Sequence, residues 1–596
     1  MKVMNVLGVK ITGHDTGAAL IAGGRVVAIA EERLNRVKHS HNMFPRLSID
    51  HCLKASGVKD DEVDLIVIDQ IHEPDRFRMA ETFRREMGPR FAGKRIEVVN
   101  HHLAHGANAF FCSPFKKAAV AIYDGSGEAF RSPQGVTVTE TETYFLGQDG
   151  TLTELQKNLH ARFARRFLYS CGIGRLYTAI TYYLNFGHYE EGKTMGLAPY
   201  GKPDAFKEAP EALWSKEWHG QHLCNANISY PDGDYAGATK TRIHWRVWHG
   251  ARGRLRRLFL FALERLGGES VYADPKLFPK LKFSKPPRPK DVKLPDGYYT
   301  DIAYAVQAVL EQVVTSIASR LRIMTGAEYL CISGGVGLNS VANKKILDQC
   351  GYKDIWVQPA CSDSGVALGC ALFGYHSILG QPRSWVMDHA YLGGEYSLEE
   401  QRAAIEAAGD RVSYRVMSDT PGETAKLLAD GKIVGWFQGG SEYGPRALGH
   451  RSILVDARIP DMKDILNDRV KHREGWRPFA ASVLAERAGD YFDLDRESPF
   501  MLLVCDVRDS KRGLIPSVVH VDDTCRVQTV TKEANGIYYD LIKAFGDLTG
   551  DPLVLNTSFN LAGEPIVETP ADAVKDLLAT NLDYLVIGDF LVSKKS

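Results

Sequence analysis

The sequence lacks a net charge, because its 73 lysine and arginine residues are balanced by 73 aspartate and glutamate residues. A protein that binds nucleic acid or an anionic membrane through its overall electric field needs an excess of positive charge. A local basic patch is still compatible with this balance. We therefore expect no nucleic acid and no membrane among the partners, and the sequence does not indicate an oligomeric state.

Paired cysteine motifs and export signals are also absent. The ten cysteines contain no C-x-x-C pair, and most lie in apolar runs such as residues 328–332, which is typical of buried thiols in a reducing compartment. Residues 1–15 have no basic start followed by an apolar core and a cleavage site, and no stretch approaches the length of a membrane span. The periodic apolar positions of residues 302–317 predict a core-facing helix. These features predict a cytoplasmic protein.

Length and pattern predict at least two α/β domains, since 596 residues are too many for one core. Residues 5–30 have the pattern strand, loop, strand, Gly-Gly turn, strand, and helices then alternate with strands. A linker near residue 381 precedes a second α/β pattern, so we predict domains at 1–380 and 381–596. Residues 204–295 differ in composition and are predicted to be an insertion that shapes a substrate pocket, although their basic run could also contact RNA.

Two histidines and two aspartates form a candidate metal site. His101 and His105 are expected to start a helix, where their spacing of four positions puts both imidazoles on one face. Asp124 ends a predicted strand, and Asp363 lies in a turn between a strand and an apolar helix, so both could supply oxygen ligands. Such ligands suit Fe(II), Mn(II) or Zn(II). The alternative is a histidine pair that only caps or packs a helix.

Two glycine-bearing loops are candidates for phosphate binding. The loop at residues 13–17 could bring backbone N–H groups against a phosphate, with His14 at its tip, although an ordinary turn is also compatible with its composition. The turn SGGVGLN, which contains Gly334, Gly335 and Asn339, has the composition of a strand-to-helix turn of nucleotide-binding type.

Residues 187–194 match the P-loop pattern G-x-x-x-x-G-K-[ST], which cradles phosphates. The surrounding sequence argues against this interpretation. The preceding run is not a clean strand, two adjacent glutamates would add negative charge, and no helix is expected after the motif. We interpret it as a glycine-hinged active-site loop from which Lys193 could meet a phosphate or a leaving group.

The C-terminal part of the chain spaces positive side chains through polar, glycine-bearing loops. Several arginines, a lysine and neutral hydrogen-bond donors without a nearby run of carboxylates suit a polyanionic ligand such as ATP plus a second phosphate. A solvated surface is the alternative. The candidate residues are Arg446, Arg451, Lys471, Arg477, Arg526, Asn556 and Ser558.

At this point the ordered motifs resemble a known family. The motifs GHDTGAAL, EERLNR, HHLAH, DGSGE, EEGKTMGLAPYG, SGGVGLN, CSDSGVALG, EYGPRALGHRS, VKHREGWRPF, DDTCRVQTV and LNTSFNLAGEP are similar to those of bacterial O-carbamoyltransferases of antibiotic, toxin and nodulation-factor biosynthesis. The resemblance covers almost the whole chain except residues 204–295.

The resemblance implies an N-terminal actin-like ATPase domain, similar to the tRNA threonylcarbamoyltransferase subunit, and a C-terminal YrdC-like α/β domain. It implies that carbamoyl phosphate and ATP form carbamoyl-adenylate in the second domain, and that the first passes the carbamoyl group to a hydroxyl of a small-molecule natural product. The C-terminal candidate residues would then hold ATP, with Mg(II) possible, and carbamoyl phosphate. Fe(II) would be held by His101, His105, Asp124 and Asp363, and the adenylate by the Gly334-Gly335 turn.

Two roles for His14 and three other functions are open. A neutral His14 imidazole could accept the proton of the attacking hydroxyl, or it could only bind a phosphate or cap its loop. A tRNA-modifying enzyme would use the same chemistry but would need a basic surface. A non-catalytic nucleotide-binding scaffold would not need the metal ligands. A sugar kinase would not need the second, anion-binding domain.

Overall fold

The computed structural model describes residues 4–71, 76–131, 137–161, 172–202, 285 and 287–595. Most of the predicted insertion at 204–295 lies outside these residues. The chain forms two compact units. The first unit consists of Met1–Asp69, Met79–Val98 and Pro359–Ser596, and the second of Gln70–Arg78 and Val99–Gln358.

The first sheet forms because apolar, β-branched residues alternate with glycine turns at the start of the chain. Its strands have the order β3-β2-β1-β4-β5. Strand β2 pairs antiparallel with both β1 and β3, and β4 pairs parallel with β1. This is the predicted meander. The strands are β1 (Val6–Lys10), β2 (Gly17–Ala22), β3 (Arg25–Ala30), β4 (Leu65–Gln70) and β5 (Arg95–Asn100), and the helices are α1 (Glu31–Asn35), α2 (Arg46–Ser56) and α3 (Arg76–Met87).

The second sheet repeats the order of the first. Its β6 pairs antiparallel with β8, which pairs with β9, and β6 runs parallel to β10, which pairs parallel with β11. The elements are α4 (His101–Cys112), β6 (Lys117–Tyr123), β7 (Ala129–Arg131), β8 (Thr137–Gln148), β9 (Thr151–Ala161), α5 (Ile173–Tyr183), α6 (Glu191–Leu197), α7 (Gly297–Thr325), β10 (Tyr329–Ser333), α8 (Ser340–Gln349) and β11 (Asp354–Val357). This doubled topology confirms the α/β prediction and the actin-like N-terminal domain.

Helix α7 contains the predicted core-facing residues, including the buried Ile302, Val306 and Leu310. It is the one helix among the described residues that is long and apolar enough to cross a membrane by length and composition. The expectation that no stretch approaches that length was therefore wrong. However, 67% of its apolar window is buried inside the protein, as in a core helix.

The C-terminal part forms a nine-stranded mixed sheet, where the resemblance predicts a YrdC-like α/β domain. Its strand order is β12-β20-β19-β13-β14-β18-β15-β17-β16. The elements are α9 (Val366–Phe373), α10 (Leu398–Glu406), β12 (Val412–Val416), α11 (Thr420–Ala429), β13 (Val434–Phe437), β14 (Arg451–Val455), α12 (Met462–Leu466), β15 (Ala480–Leu484), α13 (Ala488–Tyr491), β16 (Val504–Asp506), α14 (Asp509–Arg512), β17 (Thr524–Val530), α15 (Gly536–Thr549), β18 (Leu553–Ser558), α16 (Pro570–Ala579), β19 (Tyr584–Ile587) and β20 (Phe590–Lys594).

Buried apolar faces hold the first unit together. Helix α2 supplies Ile49, Cys52 and Leu53 to the core over the first sheet. Helix α9 packs closely against β1. A Cβ atom at Gly8 would lie only 2.1 Å from the Ala367 carbonyl oxygen, so the close approach depends on glycine at this position. The cysteines that the structure describes are all buried, as predicted.

Candidate functional site

Helix α4 begins where the sequence predicts and carries the histidine pair. The side-chain oxygen of Asn100 caps it by accepting from the Leu103 backbone N–H at 2.9 Å. The rings of His101 and His105 are fully buried and lie 4.7 Å apart in a T-shaped arrangement. Asp124 follows strand β6, and its Oδ2 lies 3.8 Å from His101 Nε2. The predicted helix start and strand end are therefore confirmed.

These three side chains fit a divalent transition metal. One ligand atom from each of His101, His105 and Asp124 lies within 4.8 Å of the other two, and all three residues are buried. Two imidazole nitrogens and a carboxylate oxygen are a donor set that Fe(II), Mn(II) and Zn(II) accept. The structure thus brings together three of the four predicted ligands within the second unit.

The glycine-rich turn after strand β10 holds two of these ligands. Ser333 Oγ lies 3.0 Å from His105 Nδ1, so Nε2 is the nitrogen that a metal would take. The Gly335 N–H donates to Asp124 Oδ1 at 3.1 Å. Gly334 has φ 89°, and a Cβ atom there would lie 2.2 Å from the Tyr123 carbonyl oxygen, so only glycine fits. Ser333 was not predicted as a site residue. Its position at the end of a strand, directly before two glycines, could have indicated that it belongs to the site.

Asn339 has an internal role in this turn. Its Oδ1 caps helix α8 by accepting from the Ala342 N–H, and it also accepts from Gln307 Nε2, each at 3.0 Å. Its Nδ2 donates to Gln307 Oε1 at 2.9 Å. The side chain predicted to hold the adenylate therefore already contacts the helix and Gln307.

The middle histidine of the HHLAH motif is a further buried group near the metal ligands. His102 Nδ1 contacts Thr143 Oγ1 at 2.8 Å, and His102 Nε2 lies 3.8 Å from Asp124 Oδ2. Beneath it, Glu140 accepts from the Asn100 side chain at 3.1 Å. Burial favours protonation of Glu140, but His102 and Lys157 outweigh burial and lower its pKa to about 2. An ionised carboxylate thus supports the first turn of helix α4.

In the first unit, Asp363 is contacted by two basic side chains. The Nζ atom of Lys10, which is fully buried, lies 3.1 Å from Asp363 Oδ2, and His14 Nε2 lies 3.6 Å from the same oxygen. On its other side His14 Nδ1 contacts Asp15 Oδ2 at 3.0 Å. Burial would lower the pKa of His14, but Asp363 and Asp15 outweigh it and raise the pKa. The role of Asp363 as a fourth metal ligand stays a prediction. Lys10 was missed, and a lysine inside an apolar strand was its signal.

The structure brings most of the predicted C-terminal cations together in one partly buried cluster, which we call the cation cluster. Burial and the charges of Arg446, Arg473 and Arg477 hold the pKa of Arg526 well below its ordinary value. Burial and the charges of Arg473 and Arg477 likewise lower the pKa of Lys471. Arg473 was not predicted, although it lies in the same motif as Lys471. The members are Arg446, Lys471, Arg473, Arg477 and Arg526.

Strand β18 supplies the polar partners of this cluster. Lys471 Nζ donates to the Ser558 carbonyl oxygen at 2.8 Å and to Asn560 Oδ1 at 2.9 Å. Ser558 Oγ also donates to Asn560 Oδ1, at 2.6 Å. Nearby, Asn556 Nδ2 donates to Gln528 Oε1 at 3.1 Å. Asn556 and Ser558 are therefore in the neighbourhood that the sequence predicted.

Arg451 has a different environment from the other predicted cations. It is fully buried, and its guanidinium donates to the carbonyl oxygens of Gly439 and Gly394, each at 3.0 Å. It also lies 3.6 Å from the centroid of the Phe437 ring. Arg451 therefore supports the loop that contains Gly439 and is not a member of the cation cluster.

The P-loop-like motif is preceded by helix α5 and not by a strand, which agrees with the interpretation that it is not a P-loop. The expectation that no helix follows was wrong, because helix α6 extends to Leu197 and ends in a short 3-10 turn. Its apolar side faces the core through the buried Leu197. Lys193 Nζ lies 3.7 Å from Glu190 Oε2.

Comparisons with known proteins cover most of the chain. A family model described as the carbamoyltransferase N-terminus matches residues 5–90, 86–230 and 271–372, and one described as the carbamoyltransferase C-terminus matches residues 425–594. The nodulation protein NolNO of Sinorhizobium fredii is 35% identical over 98% of this chain and 79% of its own length. The uncharacterized protein sll1178 of Synechocystis is 34% identical over 99% of this chain and 97% of its own length. Full-length HypF in its phosphate- and nucleotide-bound form is 14% identical over 64% of this chain and 56% of its own, with a TM-score of 0.31.

Proposed function

The chain belongs to the carbamoyltransferase family, and from that premise we propose that it is an ATP- and carbamoyl phosphate-dependent O-carbamoyltransferase. Its acceptor is a hydroxyl group of a small-molecule natural product. The first half-reaction forms carbamoyl-adenylate in the C-terminal domain, 381–596, and the second transfers the carbamoyl group in the N-terminal domain, 1–380. The location of the enzyme is the cytoplasm.

The cation cluster is the observation that carries this proposal. Five basic side chains converge, yet within the described part of the chain the one ion pair to a member of the cluster joins Arg477 to Glu474 at 3.8 Å. Partly buried positive charges with few counter-ions are unfavourable, and a polyanion would compensate them. ATP and carbamoyl phosphate together offer several phosphate groups, and guanidinium groups bind phosphate through paired hydrogen bonds.

The first half-reaction is written so that its atoms balance. Water and carbamoyl phosphate give carbamate and phosphate, and the carbamate oxygen then attacks the α-phosphorus of ATP, which releases pyrophosphate. Arg446, Lys471 and Arg526 would hold the anionic groups and stabilise the charge that develops on the transferred phosphoryl group. Arg477, Asn556 and Ser558 would complete the site, and Mg(II) can accompany the ATP.

In the second half-reaction, the acceptor hydroxyl attacks the carbamoyl carbon and AMP leaves. His14 would accept the hydroxyl proton at Nε2, while Asp15 orients the ring through Nδ1. The turn at Gly334 and Gly335 would face the adenylate. A divalent metal, proposed to be Fe(II) and held by His101, His105, Asp124 and Asp363, would supply Lewis-acid polarisation of the carbamoyl group.

The proposal is tested by incubating the protein with ATP, carbamoyl phosphate and Fe(II) and analysing the products by mass spectrometry. We expect carbamoyl-AMP and pyrophosphate, and a mass gain of one carbamoyl group on some member of a panel of hydroxylated natural products. Omission of carbamoyl phosphate is the control and should remove both signals. If ATP and carbamoyl phosphate together yield neither carbamoyl-AMP nor pyrophosphate, the proposed first half-reaction is wrong.

Replacing a member of the cation cluster should weaken the first half-reaction selectively. We expect Lys471→Ala and Arg446→Ala each to slow carbamoyl-adenylate formation about ten- to a hundredfold, because each removes a charge-assisted contact of about 1.5 to 3 kcal/mol. The measurement is pyrophosphate release, with Arg415→Ala as the control, since Arg415 is an exposed arginine that pairs with Glu423.

Preformed carbamoyl-adenylate should restore carbamoyl transfer in both variants. A variant that fails equally with the preformed intermediate would contradict the division of the two half-reactions between the domains.

A further inference from the structure

Helix α1 lies between the first sheet and two C-terminal segments, which are the loop that carries Arg446 and the turn that accepts a hydrogen bond from Lys471. It carries Arg33 and is terminated by Arg36, which has φ 61° and serves as its C-cap. Arg33 is 3% exposed although it is charged. The guanidinium groups of both residues donate to backbone carbonyl oxygens from the C-terminal part of the same compact unit. Neither arginine is a member of the cation cluster.

Arg33 holds the loop that carries Arg446. Its NH2 group donates to the carbonyl oxygen of Gly444 at 2.9 Å and to that of Glu442 at 3.2 Å. Gly444 lies two positions before Arg446 and has φ 132°, a conformation that favours glycine. The loop is also held by an isolated β-bridge between Tyr391 and Glu442. The Arg33 hydrogen bonds add a restraint two positions before Arg446.

Arg36 holds the segment that faces Lys471. Its NH1 and NH2 groups donate to the carbonyl oxygens of Ile566 at 2.7 Å and Pro565 at 2.9 Å. This segment closes a turn in which Asn560 Nδ2 donates to the Glu564 carbonyl oxygen at 2.8 Å. The same Asn560 side chain accepts from Lys471. Arg36 therefore holds one end of this turn, at Pro565 and Ile566, while Asn560 at the other end accepts from Lys471.

The helix that carries these arginines is itself fixed to the first sheet. The Glu31 backbone N–H donates to the Thr16 carbonyl oxygen at 2.8 Å. The buried Glu31 carboxylate accepts from the backbone N–H of Ser48 at 2.8 Å and from its hydroxyl at 2.7 Å. A short helix that is anchored at its first residue can therefore transmit a fixed spacing to the two segments.

We propose that Arg33 and Arg36 are positioning residues that hold the loop of Arg446 and the turn that receives Lys471 in the geometry that binds ATP and carbamoyl phosphate. The inference rests on the proposed function. Like charges within the cluster repel one another, so the loops would separate without a restraint when no anion is bound. A restraint present before binding reduces the ordering cost of binding, and its loss appears as weaker affinity.

The experiment measures the dissociation constants of ATP and of inorganic pyrophosphate by isothermal titration calorimetry on the full chain. We expect Arg33→Ala and Arg36→Ala each to raise both dissociation constants about ten- to a hundredfold, because each loses two hydrogen bonds from a charged group. The two arginines hold different segments, so the double variant should bind both ligands more weakly than either single variant. Arg36→Lys, which keeps the charge but not the paired donors, should lie between wild type and Arg36→Ala. The control is Arg25→Ala, since Arg25 is exposed at the start of β3.

Four results distinguish the outcomes. Metal content should stay at the wild-type level in every variant, which separates a positioning role from general unfolding, and KM for ATP should rise more than kcat falls. Dissociation constants within twofold of wild type in both alanine variants would overturn the inference while leaving the proposed function intact. If the wild-type protein itself binds neither ATP nor pyrophosphate, the proposed function fails and this inference fails with it.

Discussion

His101→Ala should contain less divalent metal than the wild-type protein and should transfer carbamoyl groups at least about a thousandfold more slowly, while it still forms carbamoyl-adenylate. Lewis-acid stabilisation at such a site contributes several kcal/mol, and about 1.36 kcal/mol corresponds to a tenfold change in rate. The imidazole of His101 is buried beside those of His102 and His105, so alanine removes one of the two imidazole ligands of the proposed site.

Metal content is measured by inductively coupled plasma mass spectrometry, and the two half-reactions by pyrophosphate release and by acceptor mass gain. His389→Ala is a suitable control, because His389 is partly exposed and stacks on Tyr391. It is also far from helix α4 in the sequence. Wild-type protein that retains full transfer activity after complete removal of metal by a chelator would contradict the role of these ligands.

His14→Asn should slow carbamoyl transfer about a hundred- to ten-thousandfold, the usual range for general acid–base catalysis, with normal metal content and adenylate synthesis. Asparagine keeps a donor that can reach Asp15 but has no nitrogen that can accept a proton. The measurement is the rate of transfer at saturating carbamoyl-adenylate as a function of pH. The wild-type rate should rise with pH and level off once the imidazole is neutral, and the variant should not show this rise.

His39 offers a matched control for this experiment. Its Nδ1 contacts the other oxygen of the same carboxylate, Asp15 Oδ1, at 2.8 Å. His39→Asn should therefore have a much smaller effect on the rate. A His14→Asn variant with weaker adenylate binding but an unchanged rate at saturation and an unchanged pH profile would identify His14 as a binding residue and not as the base.

The sequence predicted features of this protein that depend on local geometry. The spacing of His101 and His105 and the position of Asp124 after a strand can be read without knowing the fold, because helix periodicity and strand ends are local. The same holds for the first meander and for helix α7. Residues whose role depends on a distant part of the chain were missed. Ser333 contacts a histidine 228 positions away.

Arg451 and Lys10 are two further residues whose roles the sequence did not predict correctly. Arg446 and Arg451 lie in the same motif. The sequence alone does not show that Arg446 belongs to the cation cluster while Arg451 supports a loop. Lys10 looked like one polar residue in an apolar strand, and only its 3.1 Å contact with Asp363 reveals why it is there. Burial of a charge depends on tertiary contacts that one sequence does not specify.

The first compact unit is discontinuous, and this has a consequence for how the protein folds as it is synthesised. Residues 99–358 separate the first sheet from helix α9, which approaches strand β1 at Gly8. At a synthesis rate of about 5 to 20 residues per second, the sheet emerges from the ribosome on the order of tens of seconds before this helix. One face of an apolar sheet is thus uncovered throughout that interval. We therefore expect this face to need shielding, for example by a chaperone, while the chain is being synthesised.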